Sequence, residues 1–398
     1  MGSRSPRYPG RVATRVWLMY DTMLAPRTHA PATRSQVEWV ENFANHNKNV
    51  KEIVLMKSFA PWKYIVFSAT ALALITTGCG RQSENEPDTG STNANGRQAE
   101  KATIAVIPKG TTHPFWKSVE AGALKAGQEN NADIIWKGAL VESDRAKQIQ
   151  IIRQFVTQKV DGIVLAPLDS RAPGIIRAVK DATEAGIPVV IMDSSLDAEV
   201  GEDYITFAAT SNRKAGRMAG EQLADLLDGK GKVVILRYLE GSASTENREA
   251  GCIAALNEYP DIEIIADPYA AGSGTIADAK NRAISMIDTI QKAGGVFASN
   301  DPTTVGMLSA LRSKDLIGKV KFVGFDASPP TVQALKAGEI QALVAQNPFN
   351  MGYQSVNALC QHLDGKEVAE RIDTGAGVLT PDNLGTEQSK TLLKQATE

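Results

Sequence analysis

The feature that most constrains this chain is an echo of one segment in another. DGIVLAPLD at 161–169 leads to VVIMDSS at 189–195, and GGVFASND at 294–301 leads to KFVGFDAS at 321–328. Gly162 precedes Asp193, and Gly295 precedes Asp326, by the same 31 positions. Each interval holds a short continuous apolar run, a segment of helical period and a second apolar run. Runs this short, bounded by turn residues, read as strands buried on both faces, and two such strands separated by a helix read as a parallel pair with a crossover. The echo therefore specifies two similar halves, each built on a parallel sheet.

The same alternation runs through most of the chain. Strands are expected at 103–107, 133–136, 162–166, 189–192, 204–207, 233–236, 263–266, 296–298, 321–324 and 342–345, with helices such as 115–129, 145–158 and 213–227. The fold class is α/β, with two doubly wound parallel-sheet lobes. A chain of 398 residues with 43% hydrophobic content is long enough to fill both cores.

Ligands of open parallel sheets bind outside the carboxyl ends of the strands. Asp193, Asn300, Asp301 and Asp326 all follow apolar strands. Each alone is also a favoured helix N-cap or turn former. Their recurrence at equivalent places in both halves points to a shared site.

Other functional classes find little support. A net charge of -2 and a pI near 6.2 provide no basic surface for nucleic acid. Asp193 and Asp326 resemble the acid and base of a glycosidase only in being carboxylates near a cleft. GSGT at 272–275 lacks the lysine of a phosphate-binding loop, and Ser244 and Ser299 lack a G-x-S-x-G setting. Cys79, Cys252 and Cys360 have no metal-ligand spacing and form no disulfide framework. Cys252 and Cys360 lie in helix-like apolar segments and suit buried small hydrophobes; a bridge between them stays open. No cofactor, metal or catalytic activity is expected.

The N-terminal region carries export information. KSFAPWKYIVFSATALALITTGC at 57–79 has lysines ahead of an apolar core too short to span a bilayer, then small residues before a cysteine. It resembles a bacterial lipoprotein signal, which implies lipidation of Cys79, although Thr76 stands where that pattern prefers leucine. Residues 1–55 match no export signal, so Met56 is the expected start and 1–55 an upstream extension. Residues 80–101 contain almost no large apolar group and read as a flexible tether.

Six further segments, THPFW at 112–116, IPVVIMDS at 187–194, EGSASTENREAG at 240–251, FASND at 297–301, VGFDASP at 323–329 and LVAQNPFNMG at 343–352, carry a resemblance. In this order and spacing they are similar to the periplasmic sugar-binding proteins of ABC importers, in the ribose-binding-like branch, over about residues 102–385. That resemblance implies two lobes, 102–209 with 347–375 and 210–346 with 376–398, joined by a three-strand hinge and closing over the ligand. It also implies a monomer outside the cytoplasm that delivers a small sugar-like ligand to a membrane permease, and the lipoprotein-like signal implies that it is held near the membrane through Cys79.

Carried over residue by residue, the resemblance implies a pocket of His113, Phe115, Trp116, Asp193, Arg248, Asn300, Asp326 and Gln346. Phe115 and Trp116 would meet the C–H faces of a sugar, unless they only begin the first helix. The polar members suit hydroxyls through charge-assisted hydrogen bonds. Two departures separate the chain from ribose binders: Ser194 replaces an arginine, and the second-lobe aromatic falls near Ala271, which implies a roomier, less cationic pocket. Lys109 in AVIPKG also faces the expected cleft, and such a lysine occurs in autoinducer-2 binders, although IMDSS matches their second segment only in part. A repressor sharing these lobes would need a helix-turn-helix where the export signal stands. A sensory module presenting the ligand to a receptor would use the same lobes.

Overall fold

Alternate residues of the buried strands feed opposite cores, as the pleat requires. Ile104 and Val106 join one apolar cluster and Ala105 and Ile107 another; Val233 and Ile235 are divided in the same way from Val234 and Leu236. Each sheet is thus covered by helices on both faces. These clusters belong to residues 101–397, which the computed structural model describes. The proposed signal at 56–79 with Cys79, the extension at 1–55 and all but the last residue of the tether at 80–101 lie outside the described residues.

The first lobe begins with β1 (Ala102–Ile107), α1 (Pro114–Glu129), β2 (Ala132–Trp136), α2 (Arg145–Gln158), β3 (Gly162–Leu165), α3 (Pro173–Glu184), β4 (Val189–Met192) and β5 (Thr206–Ala209). The second contains α4 (Asn212–Leu226), β6 (Lys230–Leu236), α5 (Ala243–Leu256), β7 (Asp261–Ala266), α6 (Ile276–Ser285), α7 (Ile287–Ile290), β8 (Gly295–Ala298), α8 (Asp301–Ser313), β9 (Lys321–Phe325), α9 (Pro329–Lys336) and β10 (Ala342–Gln346). The chain then runs through α10 (Pro348–Leu363), β11 (Arg371–Asp373), β12 (Ala376–Leu379) and α11 (Glu387–Thr397).

The two six-stranded sheets match strand for strand, in the orders β11-β5-β4-β3-β1-β2 and β12-β10-β9-β8-β6-β7. All pairings are parallel except β10 with β12. The chain passes between the sheets after β5, after β10 and between β11 and β12. In each lobe two helices cross at reciprocal glycines. A Cβ on Gly122 would lie 1.9 Å from the Phe349 carbonyl oxygen and one on Gly352 2.0 Å from that of Val119, locking α1 on α10. Gly216 and Gly251 do the same for α4 and α5, at 1.9 Å from the Arg248 oxygen and 2.1 Å from the Arg213 oxygen. These contacts fix the helices that carry the aromatic pair and the buried arginine.

Three details depart from the sequence reading. The fifth strand begins at Thr206, because Tyr204 makes only an isolated bridge with Val200. Strands β11 and β12 were not anticipated. Cys252 and Cys360 are free, buried thiols in the cores of different sheets, so no bridge joins them. Among the described residues no helix is long and apolar enough to cross a membrane.

Candidate ligand-binding site

The carboxyl ends of both sheets face one recess of about 360 Å³. Lys109 follows β1, Asp193 follows β4, Asn300 follows β8, Asp326 follows β9 and Gln346 ends β10. With His113, Phe115 and Trp116 from the start of α1 and Arg248 from α5, all nine residues singled out by the sequence line this recess. The backbone is left-handed at both echoed aspartates, φ 61° at Asp193 and 69° at Asp326. Such a conformation is unfavourable for a side chain with a Cβ and persists only where the surroundings impose it. Its appearance at equivalent strand ends shows that the echo is one of geometry as well as of letters.

On the second lobe, Arg248 is buried and held wholly by its own half. Its Nε donates to Asn212 Oδ1 at 2.8 Å, Nη1 to the Ser299 carbonyl at 3.2 Å and Nη2 to Gln346 Oε1 at 2.9 Å, while the guanidinium lies 4.1 Å over the Phe325 ring. Three of its five N–H donors are thereby used. Gln346 Nε2 donates to Asp326 Oδ1 at 2.6 Å, and the Asp301 backbone N–H donates to Asp326 Oδ2 at 2.8 Å. Burial pushes the Asp326 carboxyl up, against the charge of Arg248 and these hydrogen bonds, and pulls the Arg248 guanidinium down. Asn300 does cap α8, its Oδ1 accepting from the Thr303 N–H at 3.2 Å, and it lines the recess as well.

On the first lobe, Phe115 and Trp116 meet edge to face, with centroids 5.0 Å apart. Trp116 is part of the core and also lines the recess, so the core reading and the pocket reading describe the same side chain. Its indole N–H donates to Glu142 Oε1 at 2.7 Å. Lys109 Nζ lies 2.7 Å from Asp193 Oδ2 and donates to Ser194 Oγ at 2.6 Å, Ser244 Oγ at 3.0 Å and Ser242 Oγ at 3.3 Å. Four protein oxygens thus face its three hydrogens. Two of them belong to the other lobe. His113 Nδ1 also reaches across, to 3.4 Å from Asp301 Oδ2. Burial pulls the His113 imidazole down, but hydrogen bonding to Asp301 and the charges of Glu142, Asp301 and Asp326 outweigh it and leave the group above its ordinary 6.5.

The recess holds Asp301, expected there as a strand-end residue, and also residues that sequence reasoning did not assign to it: Glu142, Tyr238, Ser242, Ser244, Thr245 and Pro302. Tyr238 follows β6 and supplies the second lobe's aromatic wall. Ala271, where that aromatic was sought, is exposed and outside the lining. The expectation of a less cationic first-lobe wall is corrected too, because Lys109 brings a cation beside Ser194 where an arginine is missing.

A sequence model described as a periplasmic binding protein domain matches residues 104–367. The chain belongs to the periplasmic binding protein family. This periplasmic binding protein is 31% identical, over 253 residues, to the D-ribose/D-allose-binding protein of Pseudomonas aeruginosa, covering 62% of this chain and 77% of that one. It is 28% identical over 293 residues to the ribose import binding protein of Bacillus subtilis, covering 72% and 90%. An ABC transporter solute binding protein from Agrobacterium vitis, solved with bound D-fucose, has a TM-score of 0.70 and 32% identity, covering 73% of this chain and 100% of that one. These relatives are binding proteins, and the family places its members in the periplasm.

Proposed function

We propose that this periplasmic binding protein captures a small sugar between its two lobes and delivers it to the membrane permease of an ABC importer, without chemical turnover. One observation carries the reading. An aromatic pair on one wall faces Arg248, Asn300, Asp326 and Gln346 on the other, across the carboxyl ends of two sheets that the chain joins three times. Aromatic rings suit the C–H faces of a sugar, and the polar wall suits its hydroxyls. A wrong epimer would leave buried donors or acceptors unpaired, at about 1–3 kcal/mol each.

The lining sets four carboxylates, Glu142, Asp193, Asp301 and Asp326, against Lys109 and Arg248. This balance disfavours anionic ligands, so uronic acids and sugar phosphates are expected to bind poorly. The autoinducer-2 reading is not favoured: it rested on Lys109, whose hydrogens face protein oxygens, and the relatives are named for sugars and import. Residues 102–209 with 347–375 and 210–346 with 376–398 would move as rigid lobes about the three crossings. The protein would act as a monomer tethered through lipidated Cys79; intact mass of the membrane-extracted protein tests the lipid and light scattering the monomer.

A thermal-shift screen over pentoses, hexoses, deoxysugars, polyols and sugar acids tests the function. A ligand at 100 times its dissociation constant adds about 2.7 kcal/mol of stability. Stabilisation by neutral sugars alone is expected; no shift with any of them, or turnover of one by the pure protein, sinks the proposal.

A further inference from the structure

The lobes also touch at a place that does not line the ligand recess. Arg171, just after β3, extends a planar fork to Glu246 on α5, with Nη1 to Oε2 and Nη2 to Oε1 both at 2.9 Å. Each side of this pair is held in place by its own lobe. On the first, Asp169 Oδ1 accepts the Arg171 backbone N–H at 3.0 Å, and its Oδ2 accepts Arg145 Nε at 2.7 Å. On the second, Glu246 Oε1 also accepts the Gly241 N–H at 2.8 Å. Two hydrogen bonds to main-chain oxygens flank the fork: Ser170 N–H to the Gly241 carbonyl at 3.0 Å, and Arg145 Nη2 to the Glu240 carbonyl at 3.1 Å. Gly241 has φ 91°, and a Cβ there would lie 2.6 Å from the Asp169 carboxyl carbon, so the approach of the lobes requires glycine at this position.

We infer that Arg171, Glu246 and Gly241 form an interlobe latch that sets the open–closed equilibrium without touching the ligand. The inference rests on capture by closure as proposed above. Because apparent affinity scales with the fraction of the competent state, a latch of this kind changes the affinity for every ligand by one common factor. A direct ligand contact changes the ranking of ligands instead.

The test uses the full-length protein with D-ribose and D-fucose as probes. Arg171→Glu and Gly241→Ala are each expected to raise Kd about three- to tenfold for both sugars, with their ratio unchanged. The exchanged pair Arg171→Glu with Glu246→Arg is expected to restore it in part, because an arginine at position 246 cannot accept the Gly241 N–H. Hydrogen exchange at the Ser244 amide, which donates to Ser194 Oγ of the other lobe at 3.1 Å, reports closure without any ligand. Faster exchange in both single variants and recovery in the exchanged pair support the latch. Unchanged exchange at Ser244, or a loss confined to one sugar, overturns it. If neither sugar binds the unmodified protein, the sugar reading is decided by the wider thermal-shift screen and the affinity arm is repeated with its best two hits, while Ser244 exchange still decides the latch.

Discussion

The two echoed aspartates end equivalent strands with the same left-handed backbone, yet their surroundings are assembled differently. Asp326 is held by Gln346 and the Asp301 N–H, with Arg248 braced by Asn212, Ser299 and Phe325, all within the second lobe. Asp193 pairs with Lys109, whose remaining neighbours include Ser242 and Ser244 from across the cleft. The second lobe's wall is thus complete before closure; the first lobe's is completed by it. A duplicated framework has separated two tasks, with a preassembled polar wall on one side and, on the other, an aromatic wall whose charges report whether the lobes have met. Preassembly lowers the ordering entropy of binding, and completion on contact ties the ligand to closure.

Arg248→Met should have the largest effect. It leaves Gln346, Asn212 and Asp326 short of a buried partner, so a loss of about 2–4 kcal/mol in stability and at least about 100-fold in affinity is expected from thermal melts and calorimetry. Equal stability in this variant would break the claim of a preassembled wall. Lys109→Met separates the two walls more sharply: Ser242 and Ser244 meet it across the lobes, so affinity should fall about 30-fold, while unpairing Asp193 within its own lobe should lower the melting temperature less than Arg248→Met does. A melting-temperature loss as large as that of Arg248→Met would show that the contacts to Ser242 and Ser244, too, are present in the open form.

Trp116→Leu is expected to weaken binding about tenfold by removing an aromatic face. The smallest effect concerns pH. Burial lowers the His113 imidazole, but Asp301 and Asp326 across the cleft and Glu142 on its own lobe leave it raised above 6.5. A raised imidazole contributes in full below about pH 6.5, and its contribution is lost as pH climbs through the raised value. Affinity should therefore decline about two- to fivefold toward alkaline pH in the unmodified protein, and stay flat over the same window in His113→Asn. A slope that survives the substitution assigns the titration elsewhere.

Much of this was legible in the sequence because a buried parallel strand leaves a continuous apolar run followed by a polar strand end. That signal located β1 to β10, with β5 shifted, and the strand-end residues Asp193, Asn300, Asp301 and Asp326, whereas Lys109, His113, Phe115, Trp116, Arg248 and Gln346 came from the family resemblance. It failed at β11, where RID carries no apolar run, and at β12, where AGVL is short, half-buried and set among turn residues. Glu142 lies on an irregular stretch between β2 and α2 with no period to read, and Ser242 and Ser244 look like an ordinary helix start. Tyr238 escapes the sequence reading because the resemblance puts the second-lobe aromatic near residue 271, although its place two residues beyond β6 marks it as another strand-end residue. Ser194 was read as a missing cation; that Lys109 supplies one from β1 depends on tertiary proximity, which spacing does not encode.

The most direct measurement is a crystal structure grown with the sugar that gives the largest thermal shift. The sugar is expected between the lobes, one face on Phe115 and Trp116, its hydroxyls on Arg248, Asn300 and Asp326, with the Lys109 to Ser244 contact intact. A sugar bound outside this recess, or held by the first lobe alone with Arg248 untouched, would contradict the division of labour between the two walls.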